Sequence, residues 1–354
     1  MPILRKVFDS LRSKVLALAL MIGILISILI ATAALPEQGG RKLVFDSLWF
    51  NALLILLTLN TACCFVSRIP RRGWNIVSTG MILFHLSFVA IFTGVVINSL
   101  SYYKGVIRLT EGESVEMEDP NAFDEEYWGR FFSHAAMRGT VTLHKLHTEY
   151  KEGGLNKGVA NEISIVDGDR IARGVIFPTR HLAFNGYKFF RDTDGFAPLF
   201  ILYDRRGREI YGAYTALQSF QQQDKSFLYS TGSRKDGPGS AEFPQISGMP
   251  PLFKIQFTYH LPKLESEIKK ASFKVWEYDK DKKNGQGRLV CEGTAALGEK
   301  VYFGDYALSM ADVRYWARMD VLYNPGQPII LASLWVGLGG LIMTTIGRAI
   351  RDGD

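Results

Sequence analysis

The chain has 354 residues, 47% of them hydrophobic and 21% charged, with a net charge of +6 and a mean hydropathy of +0.04, which is too apolar for an ordinary soluble protein of this charge content. The basic excess does not signal nucleic acid. Arg5, Lys6, Arg12, Lys14, Arg68, Arg71, Arg72, Arg348 and Arg351 flank apolar segments with only Asp9, Asp352 and Asp354 beside them. That is the whole +6, and it leaves 32 basic and 32 acidic residues elsewhere, with no basic face for a phosphate backbone.

Ile3, Leu4, Val7, Phe8, Leu11 and Val15 recur at helical spacing among basic residues, so residues 1–14 read as an amphipathic helix on the inner leaflet. Four apolar stretches follow, at 15–35, 48–66, 76–100 and 329–346. Each is free of Asp, Glu, Lys and Arg and close to the ~20 residues that cross a hydrocarbon core. The predicted fold is therefore a membrane protein of α + β class. Three transmembrane helices occupy residues 15–100, a β-rich extracytoplasmic domain 101–328, a fourth helix 329–347 and a cytoplasmic tail 348–354.

By the positive-inside rule both termini and the loop between the second and third helices lie in the cytoplasm, and the large domain faces the other side of the inner (cytoplasmic) membrane. Trp49 and Trp74 stand at span ends, as interfacial aromatics do. A cleaved signal peptide is the rival reading of the first stretch, with Ala31-Thr32-Ala33 as its cleavage site. Its apolar run is too long for that, and two more spans follow it.

In the large segment, short β-branched and aromatic runs alternate with turn residues. Asn185-Gly186 predicts a two-residue hairpin, and further hairpins are expected at 204–207 and 279–287. The run 313–322 should lead directly into the last helix. Residues 221–245, rich in Ser, Gly, Gln and charge, read as a long mobile loop. Three cysteines, Cys63, Cys64 and Cys291, make neither a disulfide framework nor a C-x-x-C motif.

His85 is the only histidine within the four apolar stretches. It lies nine residues after Ile76, roughly 13 Å along its helix, and an ionisable group at that depth is a functional candidate. Two readings stay open: a hydrogen bond to a neighbouring helix, or a ligand role. By helical periodicity, Ala90, Gly94 and Asn98 form a small-residue stripe on the side of the helix away from His85. If that stripe holds the bundle together, His85 with Met81, Phe88, Val89 and Phe92 turns elsewhere, toward a partner or a flat apolar ligand. Haem suits such a wall, since its iron accepts an imidazole nitrogen as axial ligand. His144 and His147 are three apart on a predicted strand and face opposite sides, so a shared metal is not expected. His134, His181 and His260 are isolated.

Three stretches resemble the ResB family, also called CcsB, of system II cytochrome c biogenesis. The first is Phe45-Asp46-Ser47-Leu48-Trp49-Phe50 running on to Leu59-Asn60 and Cys64. The second is 80–112 with His85, Gly94, Gly105-Val106 and Glu111-Gly112-Glu113, and the third is Asp320-Val321-Leu322-Tyr323-Asn324-Pro325-Gly326. The hairpin around Asn185-Gly186 is also similar to the family's outer domain.

The resemblance implies a subunit that works with a ResC (CcsA)-like membrane partner to carry haem outward and attach it to apocytochrome c. It implies His85 as a transient haem ligand shared with that partner, and no catalytic residue in this chain alone. The partner's tryptophan-rich segment is absent here. Two other readings remain: a b-haem electron-transfer subunit, for which a second intramembrane histidine is lacking, and a non-haem envelope scaffold.

Overall fold

The computed structural model describes residues 8, 10–34, 41–45, 47–66, 75–119, 121–223, 226–233, 237–246, 248–261, 269–282 and 285–353. Most of the predicted amphipathic segment lies outside these residues, as do Trp74, Arg68, Arg71 and Arg72. Among the described residues four helices are long and apolar enough to cross a membrane: α1 (Lys14–Leu29, continued by a π turn over Ile30–Ala34), α2 (Leu48–Val66), α3 (Ile76–Ser101) and α4 (Gln327–Gly353). Ser13 caps α1 through its hydroxyl, and Asn75 with Ser78 forms a reciprocal capping box on α3. The helices pack in chain order, α1 on α2, α2 on α3 and α3 on α4, which makes a row rather than a closed bundle.

The α3–α4 contact is by far the most extensive of the three, and small residues make it. A Cβ added at Gly80 would lie 2.6 Å from the Gly340 carbonyl oxygen, one at Gly340 would lie 2.7 Å from that of Gly80, and one at Gly337 would lie 2.5 Å from Ser87 Oγ. Farther along, Gly94 and Gly326 meet backbone to backbone. Such an approach gains dispersion contacts between helices that have no hydrophobic drive to associate inside lipid.

Beyond the helix ends the same pair continues as a sheet. The strand Tyr103–Thr110 follows α3 directly and pairs antiparallel with Tyr306–Tyr323, which leads into α4, from Tyr103↔Tyr323 to Thr110↔Trp316. The loop after the Glu125–Trp128 strand closes the joint, because Gly129 N–H donates to Tyr102 O (2.8 Å) and Phe131 N–H to Leu100 O (2.7 Å). Those carbonyls sit at the C-terminal end of α3, where intrahelical donors run out.

Two 18-residue strands, Tyr187–Asp204 and Tyr306–Tyr323, form the antiparallel spine of a seven-stranded sheet and carry two cores. Their helix-proximal halves (Tyr187, Phe189, Ala317, Met319, Val321) pack with Leu143, Ile163 and Ile165 of a four-stranded sheet. Their distal halves (Phe200, Leu202, Leu308, Met310) pack with Ile255, Phe257, Phe273 and Val275 of a six-stranded sheet.

The predicted hairpins form. At Asn185-Gly186 both φ angles are positive (48° and 85°), and Phe184 pairs with Tyr187. Asp204 accepts from Gly207 N–H and donates to Arg208 O, while Val275↔Cys291 closes the hairpin around 279–287. The expected long loop at 221–245 is not one. Phe227–Ser230 and Ala241–Phe243 join the six-stranded sheet, and the buried hydroxyls of Ser230 and Thr231 bond Phe257 O and Gly239 O, both at 2.7 Å. Ser230 and Thr231 are polar for buried hydrogen bonding, whereas Gln221, Gln222, Gln223 and Ser226 are exposed.

Adding the same methyl at adjacent glycines of α4 should have opposite effects. Gly339→Ala meets nothing within 4 Å, so it should raise the thermal unfolding temperature of the detergent-solubilised chain through helix propensity. Gly340→Ala should lower it, at an overpacking cost of about 1–3 kcal/mol against fixed backbone.

Candidate functional site

His85 lies on α3, a half-buried side chain whose ring Nδ1 is 2.8 Å from the Met81 carbonyl oxygen one turn earlier. A carbonyl can only accept, so Nδ1 carries the hydrogen and Nε2 is the nitrogen left to ligate. Metal-bound histidines characteristically donate their second ring nitrogen in this way, which fixes ring orientation. Two aromatic rings lie against it: Phe65 of α2 stacks nearly parallel (6.3 Å, 11°), and Phe84 meets it edge-on.

Helical geometry explains the placement. Gly80, Ser87 and Gly94 lie on the side of α3 opposite His85 and face α4, so His85 faces the other neighbour, α2. Of the stripe expected from sequence, Gly94 and Asn98 meet Gly326 in the turn leading into α4, and Gly80 and Ser87 extend the contact. The face carrying His85 meets Phe65 instead of standing clear of its own bundle. Met81, Val89 and Phe92 are half-buried with it, while Phe88 is exposed and contacts Phe84 (5.0 Å) and Phe92 (6.4 Å). Leu86 and Phe88 leave an apolar surface beside the imidazole. An imidazole with its tautomer set, its Nε2 left to ligate and apolar, aromatic neighbours suits an axial ligand to a large apolar macrocycle. Sequence reasoning missed Phe65. Its signal was its place in the last turn of α2, next to the final residue, on a helix that is shorter than α3.

The histidines of the β domain have local partners. His144 Nε2 is 2.7 Å from Ser164 Oγ, His147 Nε2 is 3.4 Å from Glu162 Oε2, and His260 Nε2 is 2.6 Å from Ser272 Oγ. His181 lies against Phe190, and His134 packs edge-on to Trp128 and Phe132. Arg173 and, less strongly, His147 hold the Glu162 carboxyl below the usual range. No group of three or more His, Cys, Asp or Glu side chains among the described residues is placed to hold a metal ion.

The Glu111-Gly112-Glu113 stretch is a latch between sheets. Glu111 Oε1 accepts from Leu146 N–H (2.8 Å) and Oε2 from Tyr315 N–H (3.4 Å). Gly112, at φ 85°, donates to Leu143 O (2.8 Å), and Glu113 O accepts from Leu143 N–H (3.1 Å). One carboxylate therefore ties the four-stranded sheet to the strand entering α4.

The ResB-like family model matches residues 75–351. The chain belongs to the ResB-like family. No curated protein matches it. The matched region starts at the cap of α3 and runs through the β domain into the last turns of α4, so it includes His85 and the glycine contact but not α1 or α2. The sequence resemblance noted at Phe45 to Cys64 therefore lies outside it.

Replacing Glu111 by Gln puts an amide donor against one of two backbone donors. Glu111→Gln should destabilise the chain by about 2 kcal/mol, seen as a lower unfolding temperature, whereas Glu113→Gln, at an exposed turn, should shift it far less.

Proposed function

We infer from membership of the ResB-like family that the chain is, at the level of the family, a cytochrome c biogenesis subunit. We propose that it is the subunit that offers an intramembrane haem ligand, His85, in a complex that transports haem and attaches it to apocytochrome c. The observation that carries this is the 2.8 Å contact of His85 Nδ1 with the Met81 carbonyl oxygen, which leaves Nε2 as the ring nitrogen able to ligate.

In this reading α1 to α4 span the cytoplasmic membrane. Arg12, Lys14, Arg348 and Arg351 mark the cytoplasmic side, and the β domain stands on the opposite face. Haem iron, when bound, takes an imidazole nitrogen and is held between apolar walls. His85 supplies that nitrogen, and the Met81 carbonyl keeps the ring from turning. Met81, Phe88, Val89 and Phe92 supply apolar wall, and Phe65 backs the imidazole. A second ligand to that iron would come from a ResC (CcsA)-like partner, since among the described residues no other helix long enough to cross a membrane holds a histidine. The β domain, fixed on α3 and α4, positions the partner or the apocytochrome. Bond formation to the apocytochrome requires the partner, and no residue here is assigned a catalytic role. The Phe65 stack favours a second reading, a haem-free scaffold in which His85 only packs against α2.

Purification with and without the membrane partner, followed by haem quantitation, tests both. The complex should retain haem in the wild type and lose most of it in His85→Ala, with imidazole restoring it to His85→Gly. Unchanged haem in His85→Ala would remove the ligand assignment and leave the scaffold. Full haem on the isolated chain would point instead to a b-haem electron-transfer subunit.

A further inference from the structure

Among the described residues, one cavity lies apart from His85, which is not part of its lining. It has a volume of about 700 Å³ and lies where the helices meet the β domain, between α1 (Ile28, with Ala31 and Thr32 just beyond), α2 (Phe50, Leu54), α3 (Val95, Asn98) and the start of α4 (Ile330). That volume is typical of a small-ligand site.

Its polarity is graded along the helix axes. Val95 and Leu54 lie about 9 Å inside the ends of their helices, by a rise of about 1.5 Å per residue. Asn98 is about 5 Å inside, and Lys104 and Asn324 sit beyond the ends, at the level of the sheet. The depth profile is that of an acyl chain topped by a headgroup.

Two polar groups point to the class of headgroup. Asn98 Oδ1 is buried and accepts no hydrogen bond, and the neighbouring Ser99 hydroxyl is used up on Phe45 O (3.3 Å). An unmet acceptor calls for a donor brought by a ligand. Among the described lining residues Lys104 is the one cation, and none of them is an acid. Its nearest counter-charge, Asp320, stands at the 4.0 Å limit of an ion pair, so the ammonium keeps donors to spare. Among the described lining residues there is also no imidazole or thiol that could take a haem iron.

We propose that this cavity binds one anionic glycerophospholipid from the leaflet beneath the β domain. Its acyl chain lies along Ile28, Leu54 and Val95, its phosphate meets Lys104, and a headgroup hydroxyl donates to Asn98 Oδ1. Phosphatidylglycerol carries each of these groups. The site is separate from His85 and does not depend on the haem reading.

The test uses the full-length chain in nanodiscs of phosphatidylcholine doped with phosphatidylglycerol, followed by release into detergent and native mass spectrometry. Wild type should carry one phosphatidylglycerol well above its share of the bilayer. Lys104→Gln and Asn98→Leu should each lower that retention by about tenfold, the loss of one charge-assisted or one neutral hydrogen bond with its desolvation. Lys104→Arg should keep most of it. Haem content of the partner complex should be unchanged in these variants, which keeps this result apart from the His85 assignment. Wild-type retention that follows the bulk lipid ratio would overturn the proposal even if no variant folds. So would displacement by a quinone or haem rather than by phosphatidylglycerol.

Discussion

The backbone of α3 touches that of α4 at Gly80 against Gly340 and that of the turn leading into α4 at Gly94 against Gly326, and this contact continues into the pairing of Tyr103 with Tyr323. Helices and strands usually meet through a flexible joint. Here each helix continues into a strand, and the two strands stay partners, so the pair acts as one stem. A side chain at any of those glycines would wedge the helices apart and disturb the strand register above them. The family match begins and ends with this stem, running from the α3 cap to the last turns of α4.

The stem also decides what the rest of α3 can do. Because one face is occupied by α4, the opposite face meets α2, and the four helices line up in a row. His85 and Val96 lie within about 20° of each other on that second face, the first near the α2 terminus at Phe65, the second packed on Phe50 and Leu54 near the β domain. A row has two open sides where a closed bundle has one surface. Leu86 and Phe88 are left exposed there, as apolar surface for lipid or for another membrane protein.

Much of this was legible in the sequence, and for definable reasons. Long apolar runs without charge announce helices because little else satisfies the backbone in lipid. Asn185-Gly186 announces a hairpin because both positions need positive φ. The Ala90, Gly94, Asn98 stripe correctly separated a packing face from the face of His85. Sequence could not say which helix lay on each side, so Phe65 went unnoticed and His85 was assigned a clear outlook. Nor could it show that Ser230 and Thr231 are buried, because a hydroxyl satisfied by Phe257 O reads, by composition, like one satisfied by water. Tertiary partners decide both cases, and a single sequence does not encode partners as a periodic signal.

Asn98 is where the two levels of description meet. As part of the small-residue stripe it reads as packing, and its Cβ indeed sits against the α4 start, close enough that a side chain at Gly326 would collide with it. Its carboxamide has a different task. It reaches the cavity at the joint between membrane-embedded and water-exposed halves, with its oxygen unmet. A leucine would fill the same stripe position without leaving a buried acceptor, so packing alone does not account for an amide there. No protein donor among the described residues meets the Asn98 oxygen. A ligand that supplies a donor would brace α1 and α2 against α3 at the level where the β domain begins.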